Sequence, residues 1–179
     1  DGHRDPLPQR HHGVLRDHHL LGEGPQAEAS VHRRAVGEPG PPGHRLGALV
    51  ASSQAAFGVR FDHVGERITI VDERGDLISD ERALLVFLDL VAAENRGASV
   101  ALPVTTTRVA EQVTRFHGLS VRRTSLSGAD LSRAAREEGV VFAADGRGGF
   151  VVPEFAPVID GLAAFVRLLA LVARARLTL

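Results

Sequence analysis

The stretch FAADGRGGFVVPEFAPVIDG, Phe142–Gly161, decides how the chain is read. An apolar run from Val140 to Phe142 delivers the backbone into Asp145-Gly146-Arg147-Gly148-Gly149, and a second, Phe150 to Val152, carries it away. Three glycines around one acid and one arginine make a loop whose backbone a ligand can approach closely, because no Cβ stands in the way. The arginine offers a planar fork for phosphate or carboxylate, and the aspartate offers acceptors for hydroxyls. Asp145, Gly146, Arg147 and Gly148 are therefore the candidate ligand-binding residues. Glycine-rich turns also serve as plain connectors, so the loop alone is a signal of modest specificity.

Working outward, apolar runs of strand length alternate with helical periods. Leu46 to Gln54 fits the end of a helix, and Phe57 to Phe61 and Ile68 to Asp72 read as strands. A turn at Glu73–Asp76 precedes a short return through Leu77 and Ile78. Ser79 or Asp80 caps a helix to about Asn95, apolar through its middle except for Asp89. Then come a strand at Ser99–Leu102, a helix at Thr106–His117 closed by Gly118, and a strand at Leu119–Arg123. Ser127 and Asp130 resemble a capping box opening a helix to Glu138, and the last helix spans Ile159–Arg176. Strand and helix alternating with short connections predict an α/β fold: a mostly parallel sheet with helices on both faces. In such sheets ligands sit beyond the carboxyl ends of strands, where Asp145–Gly149 falls.

A second motif, FGVRFDHVGERITIV (Phe57–Val71), is two strands joined by a turn bearing Asp62, His63, Glu66 and Arg67. Two carboxylates four residues apart on a tight loop can grip a hard cation through oxygen, although acids in turns are commonly just solvated. His63 reads as an exposed turn residue, and His117 as a cation suited to a helix C-terminus. Thr105-Thr106-Thr107-Arg108 has the composition of a phosphate site at a helix N-terminus, with an N-cap as the plainer role. Arg122 and Arg123, near a strand end, read as solvated.

Composition narrows the function classes. The 179 residues suit one domain or pieces of two, and the formal charge of −1 argues against broad electrostatic binding to nucleic acid or anionic membrane. There is no cysteine, hence no disulfide framework and no thiolate chemistry. No apolar run reaches the roughly 18 residues of a spanning helix, and no signal-peptide pattern opens the chain, so the cytoplasm is the default location. The chain contains no methionine, and so reads as a piece of a longer parent. Residues 1–45 differ in kind: they hold seven of the nine histidines and six of the nine prolines, without helical or strand periodicity. That tract reads as disordered or as a frameshifted stretch of a GC-rich gene.

The order of residues from Ala144 to Gly161 is similar to the sugar-recognition loop of the alpha-D-phosphohexomutase family, which includes phosphomannomutases and phosphoglucomutases. The family pattern Gly-Glu-x-Ser-Gly-His, then Phe-x-x-Pro and Asp-Gly, stands here as Ala144-Asp145-Gly146-Arg147-Gly148-Gly149 with Phe150, Pro153, Asp160 and Gly161. The family's metal loop, Asp-Gly-Asp-Gly-Asp-Arg, resembles Asp62 to Arg67: Asp62 matches the first ligand, Val64 the second, Glu66 the third, and Arg67 the arginine. The resemblance implies Mg²⁺ on Asp62 and Glu66, weakened or lost because valine cannot ligate. It also implies hexose phosphate, of mannose or glucose, as ligand. Residues 46–78 are then the end of a second mutase domain, and 79–179 a third, α/β/α domain. Family members carry a phosphoserine on an earlier domain, and no Ser-His-Asn-Pro-like loop occurs here, so no catalytic residue is assigned and the fragment is expected to be inactive alone. The altered motifs RFDHVGER and ADGRGG resemble most the mutase-like module fused to some bacterial mannose-1-phosphate guanylyltransferases. A non-catalytic sugar-phosphate-binding domain and a structural subunit-contact domain are the alternatives.

Overall fold

The computed structural model describes residues 43–179; the tract read from sequence as disordered or frameshifted lies outside these residues but for its last three. Helix α1 (His44–Ser53) packs on a three-stranded antiparallel sheet of β1 (Gly58–Phe61), β2 (Ile68–Val71) and β3 (Leu77–Ile78). Helix α2 (Asp80–Glu94) follows directly, and its start is dictated locally. The Ser79 hydroxyl accepts from the Arg82 N–H at 3.3 Å, and Asp80 and Glu81 place negative charge on the first turn, where the helix dipole favours it.

The larger sheet has the order β5-β4-β6-β7-β8. Its strands are β4 (Ser99–Pro103), β5 (Ser120–Thr124), β6 (Val140–Ala144), β7 (Phe150–Val152) and β8 (Ala156–Ile159). Strands β4, β5 and β6 run parallel, while β6–β7 and β7–β8 are antiparallel, so the α/β sheet predicted from sequence is present as a mixed one. Helices α3 (Val109–His117), α4 (Gly128–Ala135) and α5 (Gly161–Ala175) complete the chain. Alternation along the strands divides the core. Val100, Leu102, Phe142, Ala144, Phe150 and Val152 face α2 and α5, whereas Ala101, Ala143 and Val151 face α4. Phe87, Phe142 and Phe150, all fully buried, meet at centroid separations of 5.0, 5.1 and 6.0 Å. Their tilted packing adds about 0.5–1.5 kcal/mol per pair beyond area burial. Phe142 belongs to β6 and Phe150 opens β7, so the cluster anchors the two strands that carry the loop between them.

Several boundaries differ from those predicted. Helix α3 begins at Val109 rather than Thr106: Arg108 stands at the N-cap without a side-chain cap, and the preceding turn is held by the Val109 N–H on Thr107 Oγ1 at 3.4 Å and the Ala110 N–H on the Thr107 carbonyl at 3.2 Å. Ser127 caps α4 through the Ala129 N–H at 3.2 Å, but no reciprocal capping box forms, since Asp130 instead accepts from Ser125 Oγ and Arg133. Strand β8 was not foreseen. Among the described residues no helix is long and apolar enough to cross a membrane.

Candidate functional site

The loop between β6 and β7 is tight: the Asp145 N–H donates to the Gly149 carbonyl at 2.9 Å, closing the hairpin that Ala144 and Phe150 begin. Asp145 then organises the loop with its side chain. Its Oδ1 accepts from the backbone N–H of Arg147 at 2.7 Å and of Gly149 at 2.9 Å. The glycines serve different partners. Gly148, at φ 80°, lies against β2, where its carbonyl accepts from the Ile68 N–H at 2.9 Å and an added Cβ would stand 2.6 Å from the Ile68 carbonyl oxygen. At Gly149 an added Cβ would stand 2.6 Å from Asp145 Oδ2. Only Gly146 has open space above it, and so offers the ligand-accessible backbone foreseen in the sequence.

The second motif folds as a hydrogen-bonded turn from Asp62 to Arg67. The Asp62 N–H donates to the Arg67 carbonyl at 3.0 Å, and Asp62 Oδ1 accepts from the N–H of Glu66 at 2.9 Å and of Arg67 at 3.2 Å. Desolvation pushes the Asp62 carboxyl upward, but the N–H groups of Arg67, Glu66 and Gly65 and the charge of His63 outweigh it and hold the pKa below its ordinary value. This turn sits against the ligand loop. Arg67 bridges to Gly149 in antiparallel fashion, and the Gly161 N–H at the start of α5 donates to the Gly65 carbonyl at 2.9 Å. The Arg67 guanidinium reaches across, donating to Asp145 Oδ2 from Nη2 at 2.9 Å and from Nε at 3.2 Å. Two motifs 78 residues apart are thus joined side chain to side chain.

The donors of the turn do not fit a magnesium ion. One Asp62 oxygen is spent on two N–H groups, Glu66 lies 3.6 Å from Arg67 Nη1, and the Val64 side chain, exposed at the tip, carries no donor atom. Among the described residues no three His, Asp or Glu side chains are grouped to hold a metal. No step through a metal is derived from this turn.

Two clefts meet at Arg147. One, of about 260 Å³, is lined by Glu81, Thr105–Thr107 and Asp145–Arg147, with Leu84 and Leu126 as its apolar part. The other, of about 430 Å³, is lined by Arg60, Asp62, His63, Arg67, Asp80 and Arg147. Among the described residues the Arg147 guanidinium makes no hydrogen bond or ion pair, whereas the Asp145 carboxylate is fully engaged. Thr106 Oγ1 is buried beside the first cleft and has no partner among the described residues. Arg60 and Asp80 were read in the sequence only as part of a strand motif and as a helix cap, and Glu81 was not read at all, because only folding brings the three to the clefts. His63 is exposed in its turn, and His117 is hydrogen-bonded to Asp89 at 2.8 Å, pinning α3 to α2. Arg123 is not simply solvated: it holds Glu111 and donates to the Pro103 carbonyl at 2.8 Å, while Arg122 pairs with Glu137.

Comparison with known proteins bears on this arrangement. The family model for phosphoglucomutase/phosphomannomutase, alpha/beta/alpha domain III, matches residues 79–179. A phosphoglucomutase/phosphomannomutase of Thermococcus kodakarensis is 26% identical over 113 residues, covering 63% of this chain and 25% of that protein. A phosphoglucosamine mutase of Agrobacterium fabrum is 28% identical over 127 residues, covering 70% and 28%. Among solved structures, a phosphoglucomutase/phosphomannomutase family protein from Burkholderia thailandensis superposes with a TM-score of 0.63 at 27% identity, over 71% of this chain and 28% of that one. A putative phosphomannomutase from Thermus thermophilus, at 19% identity, shares the fold with a TM-score of 0.66 over 74% and 31%. The chain therefore spans between 25% and 31% of the length of these relatives.

Proposed function

We infer that this chain, which belongs to the phosphoglucomutase/phosphomannomutase family, is the hexose-phosphate-binding part of a longer protein and does not transfer phosphate by itself. The ligand meets the 145–148 loop at Gly146 and Arg147, with the Arg147 guanidinium on the phosphate and Thr105 and Thr107 hydroxyls beside it, while Asp145 and Gly148 hold the loop's shape. One observation carries this: Arg147 has no protein partner among the described residues and stands where two clefts join. Residues 46–78 close a preceding domain of the parent and 79–179 form its third. The hexose, mannose or glucose, is not fixed by kinship, since the names of the relatives include glucosamine as well. With both family loops altered, the parent we favour is a mannose-1-phosphate guanylyltransferase carrying a degenerate mutase module, in nucleotide-sugar metabolism.

Calorimetry with mannose and glucose 1- and 6-phosphates, beside an interconversion assay, tests this. Binding without turnover is the expected result. Turnover by the chain alone overturns the non-catalytic assignment, and absence of binding overturns the ligand assignment. Sequencing the neighbouring coding DNA shows whether a nucleotidyltransferase domain adjoins it. A second reading, contact with the parent's other domains and no ligand, is favoured by the exposed apolar line Leu162, Val166 and Leu169 along α5. In that case Asp145→Ala and Arg147→Ala leave the parent's activity untouched.

A further inference from the structure

We propose that Asp145 is a positioning residue that does not touch the ligand: pinned by Arg67, it fixes the backbone under the loop's cation, Arg147, whose guanidinium has no partner among the described residues, so that the loop selects an anionic group over neutral hydroxyls. The ligand half of this rests on the binding site proposed above; the brace itself does not.

The accounting of acceptors leads there. A carboxylate has about four lone-pair directions. Those of Asp145 are met by the N–H groups of Arg147 at 2.7 Å and Gly149 at 2.9 Å on Oδ1, and by Arg67 at 2.9 and 3.2 Å on Oδ2. The side chain is only 15% exposed. Gly149 supports the same conclusion independently, because any larger residue would place its Cβ against that carboxylate. Arg67, in turn, has its fork committed to Asp145, and among the described residues its other ion-pair contact is Glu66 at 3.6 Å. What the loop presents outward is the Arg147 fork, beside Thr105 and Thr107; the Thr106 hydroxyl beneath them is buried and has no partner among the described residues. A sugar diol is best gripped by a carboxylate acceptor paired with a donor, and the loop's one side-chain acceptor is spent. The carboxylates left in the clefts, Glu81, Asp80 and Asp62, belong to α2 and to the neighbouring turn. A cation with hydroxyl donors is the complement of phosphate or carboxylate.

The test is a double-mutant cycle with calorimetric binding of mannose 6-phosphate, glucuronate and unmodified mannose to the full chain. We expect one or both anions to bind and mannose to bind at least about tenfold more weakly; equal affinity for mannose overturns the selectivity. Arg147→Gln should cost about tenfold or more in anion affinity, and Arg67→Gln or Asp145→Asn about threefold to tenfold, as expected for charge-assisted contacts and their support. Placed on the Arg147→Gln background, the latter two should cost nothing further. An additional loss there means that Arg67 or Asp145 touches the ligand, and overturns the positioning role. Amide hydrogen exchange reads the brace without any ligand. In Arg67→Gln, and in Gly149→Ala as a second route, exchange at the Arg147 and Gly149 N–H should rise about tenfold while Phe87 and Leu88 in α2 stay protected. Unchanged exchange at both amides overturns the brace. If no probe binds the unaltered chain but the brace is confirmed by exchange, the ligand assignment has failed and the positioning role stands.

Discussion

Gly148 is the position where one added methyl group has the clearest consequence. Its φ of 80° disfavours any side chain, and its missing Cβ is what lets the loop lie on β2. Gly148→Ala should cost about 1–3 kcal/mol in urea unfolding, from strain and from lost contact with Ile68. A loss below about 0.3 kcal/mol would mean that β2 gives way freely, a smaller effect than any of these mechanisms allows. Val64 offers the reverse experiment. Val64→Asp restores a third carboxylate to the 62–67 turn, and the variant should gain a rise in melting temperature with millimolar Mg²⁺ that the unaltered chain lacks. The three loop glycines also mark what sequence can and cannot convey. Their identity announces close backbone approach, but in two of the three cases the approaching group is the protein's own: the Ile68 carbonyl and the Asp145 carboxylate. The Arg67–Asp145 pair is invisible to any local pattern, because nothing within a window of helix or strand length links residues 78 apart.

Helices and strands with a strong apolar period were legible, and those resting on special residues were not. Helix α2 follows from its cap and its long buried run, and strands β4 and β6 from continuous apolar stretches suited to burial on both faces. Strand β8 escaped because Pro157 argues against a strand; it is tolerated here since β8 is the edge, where a missing N–H breaks no ladder. Helix α5 starts at Gly161 rather than Ile159 for a similar local reason. Asp160 stays extended, and its Oδ1 accepts from the Ala163 N–H at 3.0 Å. Asp160→Ala should therefore lower stability by about 0.5–2 kcal/mol, read as a shifted urea midpoint with unchanged slope. The same cap anchors Gly161, whose N–H reaches the Gly65 carbonyl, so the substitution should also raise amide exchange in the 62–67 turn. An effect confined to α5 would show that turn and helix are not coupled.

Acid should loosen the chain at three separate stations. Asp62 holds the turn beside the site, Glu111 ties α3 to β5 through Arg123, and Asp130 secures the start of α4. Each carboxyl titrates below its ordinary value of 3.8 for the aspartates and 4.5 for the glutamate. For Glu111 the first cause is the hydrogen bond from Arg123, and for Asp130 it is the bond from Ser125 followed by that from Arg133. A folded-state pKa below the unfolded one means that the unfolded chain binds more protons across that interval, so stability rises with pH there. The contribution is complete above the ordinary values and disappears as pH falls through the depressed ones. Urea unfolding should thus give a flat stability from pH 7 to about 5 and a decline below about 4.5. All three groups are solvent-accessible, so each share is modest and screened by salt. Glu111→Gln should be less stable than the unaltered chain at pH 7 and should converge with it near pH 3, whereas a parallel decline at constant separation would place the proton uptake elsewhere. Asp62→Asn has a second readout. Because Asp62 accepts from the Arg67 backbone N–H and so fixes the residue whose guanidinium reaches Asp145, its loss should weaken anion binding at pH 7, and protonation should weaken it in the unaltered chain over the same acid interval.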